Sequence, residues 1–174
     1  MALGTRLKGV IALREGRPAE ARPLFEQARE GFAEVGAQSE VTASDGRIIE
    51  CLLASGRAET ALALAREVVE RASAAGASNV HLPMLRRVLG VALLHAGDVE
   101  GARAALEDSL REARAQQAAY EVALTLGELV RLAKIERGVA PSGLEAERDA
   151  ILAGLGVVLP PQPAAEPNPR ASGD

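Results

Sequence analysis

Few residues in this chain have side chains suited to chemistry. His81 and His95 are 14 residues apart. On one helix they lie near the same face, about 21 Å apart at ~1.5 Å per residue. That separation is too great for one metal ion, and Met84, three residues after His81, adds only a thioether. His95 is placed at a helix C-terminus, where a partly positive imidazole is favoured. Cys51 stands beside Leu52 and Leu53, which suits a buried small hydrophobe better than a nucleophile. Lys8 and Lys134 are the only lysines, so the remaining basic side chains are arginines. Their planar forks suit bidentate hydrogen bonds to carboxylates.

Other chemistry lacks its motif. No P-loop, dinucleotide fingerprint, C-x-x-C or H-E-x-x-H occurs, and Gly154 and Gly156 form only a lone G-x-G after a helical segment. No nucleophile–base arrangement stands out, so no catalytic, metal or cofactor-binding residue is expected, and the chain reads as non-enzymatic. The net charge is −4 and the pI about 5.4, which argues against a nucleic-acid partner. No apolar run approaches the ~20 residues of a membrane span, and MALGTRLKGV lacks a signal-peptide core. A single cysteine among 174 residues fits a cytoplasmic setting.

The elements that must position these residues are set by four glycines, Gly16, Gly56, Gly97 and Gly138. Successive separations are 40, 41 and 41 residues. A fixed period in this range marks a stacked repeat array. Each glycine is preceded by one helical pattern (3–15, 40–54, 80–95, 119–137). The first three are followed by a second (19–35, 58–75, 99–116). Gly suits each junction because helix ends often need a left-handed residue. A second set of turns falls at Gly36, Gly76 and Gln117. The repeats therefore lie near 3–38, 39–78, 79–118 and 119–157, in one domain spanning 1–157.

The second helices align without gaps. Ala21, Ala61 and Ala102 share one position, and Phe25, Ala65 and Leu106 share another. Arg22–Glu26, Arg66–Glu70, Glu67–Arg71 and Glu107–Arg111 are spaced as i,i+4 pairs on the outer face. Gly9 and Gly90 stand seven residues before their turn glycines, where close helix approach would offset the cost of a helical glycine. Pro23 predicts a kink, or a helix starting near Ala21. Ser142 and Glu145 form a capping box ahead of a short helix, 143–153, that covers the array's end through Leu144, Ile151, Leu152 and Leu155. Residues 158–174 read as a Pro-rich disordered tail. The first helix has no equivalent cap, so its apolar edge is expected to be covered by further repeats, a partner or a second copy.

The small residues Gly9 and Gly90, the turn glycines, and Ala21, Ala61 and Ala102 five residues after them resemble the tetratricopeptide repeat family. LGVALLHAGDVEGARAAL is the clearest copy. The period of 40–41 departs from the usual 34, the first-helix Trp and Tyr are absent, and Ile49 replaces the small residue in the second repeat. The resemblance implies an all-α fold, a right-handed superhelical array of antiparallel helix pairs with a C-terminal capping helix. The segments AYEVALTLGELVRLA and LEAERDAILAGLGVV also resemble the C-terminal repeat region of large bacterial ATPase-coupled regulators and cyclases.

The resemblance further implies a concave groove lined by the first helix of each pair. That places Arg6, Arg47, Glu50, Arg87, Val91, Leu94 and Glu128 on or near it. A column of Arg6, Arg47 and Arg87 would suit an acidic peptide or a C-terminal carboxylate, with Glu50 and Glu128 balancing charge. The asparagines that clamp a carboxylate in chaperone-binding members are absent at Val10, Glu50 and Val91. The expected function is a protein–protein interaction scaffold, the repeat tail of a larger bacterial signalling or transcription regulator. The alternative is a sensor that binds a small ligand or peptide in its groove. The expected partner is a protein or peptide, or a second copy through the uncapped N-terminal end.

Overall fold

The computed structural model describes residues 1–74 and 79–157. These form eight α-helices: α1 (Ala2–Arg14), α2 (Pro18–Glu34), α3 (Gln38–Ala54), α4 (Ala58–Ala74), α5 (Leu82–His95), α6 (Val99–Ala115), α7 (Ala119–Arg137) and α8 (Ser142–Leu155). No strand occurs among the described residues. Helix limits agree with the sequence pattern to within two residues. Ala75, the turn at Gly76 and the Pro-rich segment 158–174 lie outside the described residues.

The turns explain the period. At Gly16, the Gly16 N–H donates to the Leu13 carbonyl at 3.1 Å and the Arg17 N–H to that of Ala12 at 2.9 Å. This pair of bonds satisfies carbonyls the helix end would leave open and requires a left-handed residue between them. The same bonds recur at Gly56 and Gly97, and all three glycines have φ between +71° and +83°. Gln117 closes its turn in the same way with φ +56°. A side chain at that angle is strained, whereas glycine is not. Gly138 differs: its N–H donates to the Lys134 carbonyl at 2.9 Å, and a three-residue link, 139–141, precedes α8.

Consecutive helices pack as antiparallel neighbours. The odd-numbered helices also meet one another, α3 with α5 and α5 with α7, while no comparable contact joins α2 to α4 or α4 to α6. The array therefore curves with α1, α3, α5 and α7 on its inner side.

Within each pair, one close approach sets the spacing. A Cβ placed on Gly9 would sit 3.0 Å from the Phe25 ring, and one on Gly90 would lie 2.7 Å from Leu106 Cγ. In the second pair the sizes are exchanged. Ile49 stands seven residues before Gly56 and is fully buried, and the position shared by Phe25 and Leu106 is Ala65, also fully buried. The apparent departure at Ile49 is thus matched by its neighbour helix, and pair spacing survives the swap.

Polar groups tie neighbouring pairs together. Asp45 of α3 is 2% exposed and accepts from Arg29 of α2 (Nε to Oδ1, 2.5 Å) and from Arg71 of α4. Ser109 of α6 donates to the Pro83 carbonyl at 2.8 Å and lies 2.9 Å from Thr125 Oγ1, joining α5, α6 and α7. The outer i,i+4 pairs Arg22–Glu26 (3.7 Å) and Glu67–Arg71 (3.0 Å) are present, while Arg111 turns to Asp108 at 2.5 Å.

Three local expectations are corrected. Pro23 lies inside α2, which runs unbroken from Pro18, so the later start near Ala21 does not occur. The Ala19 carbonyl that Pro23 leaves without an amide partner is on the exposed side, where water can serve it. Ser142 is the first residue of α8 behind Pro141, and no side-chain cap bond forms. Glu145 instead pairs with Lys134 of α7 at 2.8 Å. The imidazole of His95 is not favoured as a cation: burial foremost, and then Arg131, lower its pKa, against the opposing pull of Glu128.

Candidate functional site

The inner side carries a polar strip running from α1 to α7. Arg6 of α1 pairs with Glu40 of α3 and lies over the Phe32 ring, 5.2 Å from its centroid. Ser39 Oγ is 3.1 Å from His81 Nε2. Asn79 Oδ1 accepts the His81 backbone N–H at 3.0 Å. Burial above all lowers the His81 pKa. Arg6 and Arg47 add to this, and Glu40 opposes them. His81, too isolated to share a metal with His95, thus belongs to the arginine strip.

The centre of the strip is a chain of four charges. Arg47 Nη1 donates to Glu50 Oε2 at 2.6 Å, and Arg87 Nη2 donates to Glu50 Oε1 at 2.9 Å. Arg87 Nε donates to Glu121 of α7. Arg87 is 7% exposed. Burial pushes the Glu50 carboxyl up, but Arg47 and Arg87 together outweigh it and hold the group below its ordinary value. The geometry gives each member a distinct place. Arg87 is a buried bridge, Glu50 links it to Arg47, and Arg47 keeps about a third of its side chain in solvent (35%).

The other expected groove residues are placed differently. Val91 is buried. Leu94 is half-buried and packs against the cluster of Leu106, Leu129 and Leu132. Leu94 thus contributes to the α5–α7 core. Glu128 lies beside Arg131, with Oε2 3.6 Å from Nη1, and next to His95.

Sequence reasoning missed the carboxylates that neutralise the arginines. In the sequence Glu40 and Glu121 are ordinary acids near helix starts. A signal was present: Arg6–Glu40 and Arg87–Glu121 share a separation of 34 residues. The residue 34 positions after Arg47 is His81, and Arg47 turns to Glu50 within its own helix.

Cys51 is fully buried, and burial, with Glu50 adding, pushes its thiol up to about 12. Since only the thiolate reacts, native protein should resist a thiol-reactive dye until denaturant is added. Rapid labelling in native buffer would contradict this burial. An open cleft of about 370 Å³ lies between α3, α4 and the approach to α5, lined by residues including Gln38, Thr42, Arg71 and Asn79. No described helix is long and apolar enough to cross a membrane.

The packing of helix pairs on a glycine-marked period defines a tetratricopeptide-type α-solenoid. The tetratricopeptide repeat family model matches residues 2–27, 49–67 and 83–108. These stretches cover α1 with the start of α2, the α3–α4 turn, and α5 with most of α6. These three matches, together with the helix-pair packing, support a tetratricopeptide-like family for this chain. No curated protein matches it significantly. Tetratricopeptide repeats in general are non-catalytic and mediate protein–protein interaction.

Proposed function

We propose that this chain is a non-enzymatic scaffold that holds a protein or peptide segment against the inner side of the array. The observation that carries this reading is the polar strip, where buried Arg87 fixes Glu50 and Glu50 fixes the partly exposed Arg47. Such support reduces the entropy a long side chain loses on binding. Because Glu50 and Glu121 neutralise Arg47 and Arg87, the strip attracts an acidic partner less by bulk charge than by directed hydrogen bonds from Arg47. The proposal extends to the setting: the chain acts as the repeat tail of a larger bacterial signalling or transcription regulator, on the strength of the C-terminal likeness of α7 and α8. A ligand-sensor reading would use the cleft beside Arg71. That guanidinium is already committed to Asp45 and Glu67, so the scaffold reading is better supported.

The test reverses charge at the two arginines of the strip that keep more of their side chains in solvent than Arg87, 22% for Arg6 and 35% for Arg47. Arg6→Glu with Arg47→Glu should reduce cross-linked capture of partners from the native lysate by roughly tenfold or more, as expected when charged hydrogen bonds are lost. Helicity should be unchanged. Undiminished capture by a folded double variant would remove the inner strip as the binding surface. Arg87 is excluded from this test because its burial makes reversal a folding defect.

A further inference from the structure

Given the scaffold reading of the inner strip, we infer that His81 makes its hold on an acidic segment pH-dependent, firmer as the imidazole takes up a proton. The charge count of the strip leads there. Arg6 is paired with Glu40, and Arg47, Glu50, Arg87 and Glu121 alternate in sign along one chain of contacts. Three arginines are thus balanced by three carboxylates. An imidazole, by contrast, ordinarily changes its charge between about pH 5 and 8. Of the two imidazoles in the sequence, His81 is the one beside Arg6 and Arg47, while His95 lies with Glu128 and Arg131. Protonation of His81 therefore gives the strip a positive charge that no carboxylate of its own offsets.

The position makes that charge costly while the strip is empty. His81 directly precedes Leu82, where α5 begins, and its Nε2 lies 3.1 Å from Oγ of Ser39, the second residue of α3. Two helix N-termini meet at the ring, and both disfavour a cation. Burial opposes protonation most, Arg6 of α1 and Arg47 of α3 add to it, and Glu40 of α3 works against all three. The result is a pKa below the ordinary imidazole value. The other packed helices bring no free carboxylate. Arg71 of α4 is held by Asp45 and Glu67, α6 contributes the uncharged Gln116, and Glu121 of α7 is held by Arg87. Glu40, the carboxylate that does act on the ring, is shared with Arg6.

An acidic segment lying across Arg6 and Arg47 supplies the missing negative charge. It favours the imidazolium, and by reciprocity the imidazolium favours the segment. The ring keeps its place through the change, because both nitrogens of the cation are donors and Ser39 Oγ remains in reach of Nε2. The proton acts as a second ligand of the strip, next to the partly exposed Arg47.

Isothermal titration calorimetry of the full chain with an acetylated peptide of alternating Asp and Glu tests this. The peptide stays ionised down to about pH 5.5. Its affinity for wild type should rise about tenfold from about pH 7.5 to 5.5, since moving a pKa by one is worth tenfold in affinity. Binding in this range should take up protons, read as a dependence of the heat on the buffer. His81→Gln keeps a polar group beside Ser39; it should match wild type at the higher pH and show no gain at the lower. A wild-type gain in folded His81→Gln would overturn the inference, as would failure of wild type to bind the peptide at the lower pH. Proton NMR gives an independent reading through the imidazole signal that His81→Gln removes. Its titration midpoint should rise when the peptide is saturating, and an unmoved midpoint would also overturn the inference. The scaffold reading stands or falls separately, on lysate capture by Arg6→Glu with Arg47→Glu. Capture lost in that double variant, with a flat pH profile in wild type, removes the role of His81 alone.

Discussion

Replacing Arg87 with alanine should destabilise the array by about 3–5 kcal/mol, the range seen when one partner of a buried ion pair is removed. The loss is not that of one surface contact. Arg87 is 7% exposed, and the carboxylates it bridges, Glu50 and Glu121, have side chains only 18% and 16% exposed. Without the guanidinium, both remain in a poorly solvated site. Glu50 keeps Arg47, but Glu121 loses the partner that joins α7 to α5. Urea unfolding followed by far-UV circular dichroism measures the change. A shift below ~1 kcal/mol, typical of an exposed pair, would show that the bridge is not buried in solution.

The same cluster sets a pH dependence. The folded-state pKa of Glu50 is lowered. Its contribution to stability is therefore complete above the unfolded carboxylate value, near 4.3. It is lost as pH falls through the depressed folded value. Removing Arg87 takes away part of what depresses that value. The stability gap between wild type and Arg87→Ala should therefore be widest near neutrality and narrow in acid.

The second large effect is expected at Gly90, as a pair of changes and not a single one. Gly90→Ile should cost about 3 kcal/mol, the upper part of the usual overpacking range, because a Cβ there would lie 2.7 Å from Leu106 Cγ and 3.2 Å from the Ala102 carbonyl oxygen. Leu106→Ala should cost ~2–5 kcal/mol by leaving a cavity. The double variant reproduces the arrangement of Ile49 and Ala65 and should be more stable than either single variant. Equilibrium unfolding of all four proteins closes the cycle. Strict additivity would mean that the two positions do not share one space and that the size exchange in the second pair is coincidental.

Gly90 and Ile49 also mark how far the sequence can be read. The turn glycines were legible because a left-handed residue is a local requirement, and local requirements recur at a fixed period. Gly90 was legible for a related reason: a helical glycine is costly and needs a close neighbour to explain it. Ile49 read as a departure because its compensation lies 16 residues away, at Ala65, on the other helix of its pair. Gln117 gave no glycine to mark its turn, yet the backbone bonds form there as they do elsewhere.

The inner strip was less legible. The arginines were visible as a recurring position, but the carboxylates that complete them belong to neighbouring repeats. Glu40 reaches back to Arg6, and Glu121 to Arg87, across helix pairs. Val91 and Leu94 were assigned to the groove by their place on a first helix, and their burial, complete for Val91 and partial for Leu94, depends on packing that the sequence does not show. The capping box at Ser142 and Glu145 had the correct local pattern and lost to the ion pair between Glu145 and Lys134.

The sequence alone therefore determined the helix pairs, their order, their turns and the close approaches at Gly9 and Gly90. Each arises from backbone conformation or side-chain volume over a few residues. Only the tertiary structure decided which charges are buried bridges and which meet solvent. The bridges of the inner strip join residues 34 and 37 positions apart brought together by stacking, and no local spacing fixes the angle at which one pair meets the next.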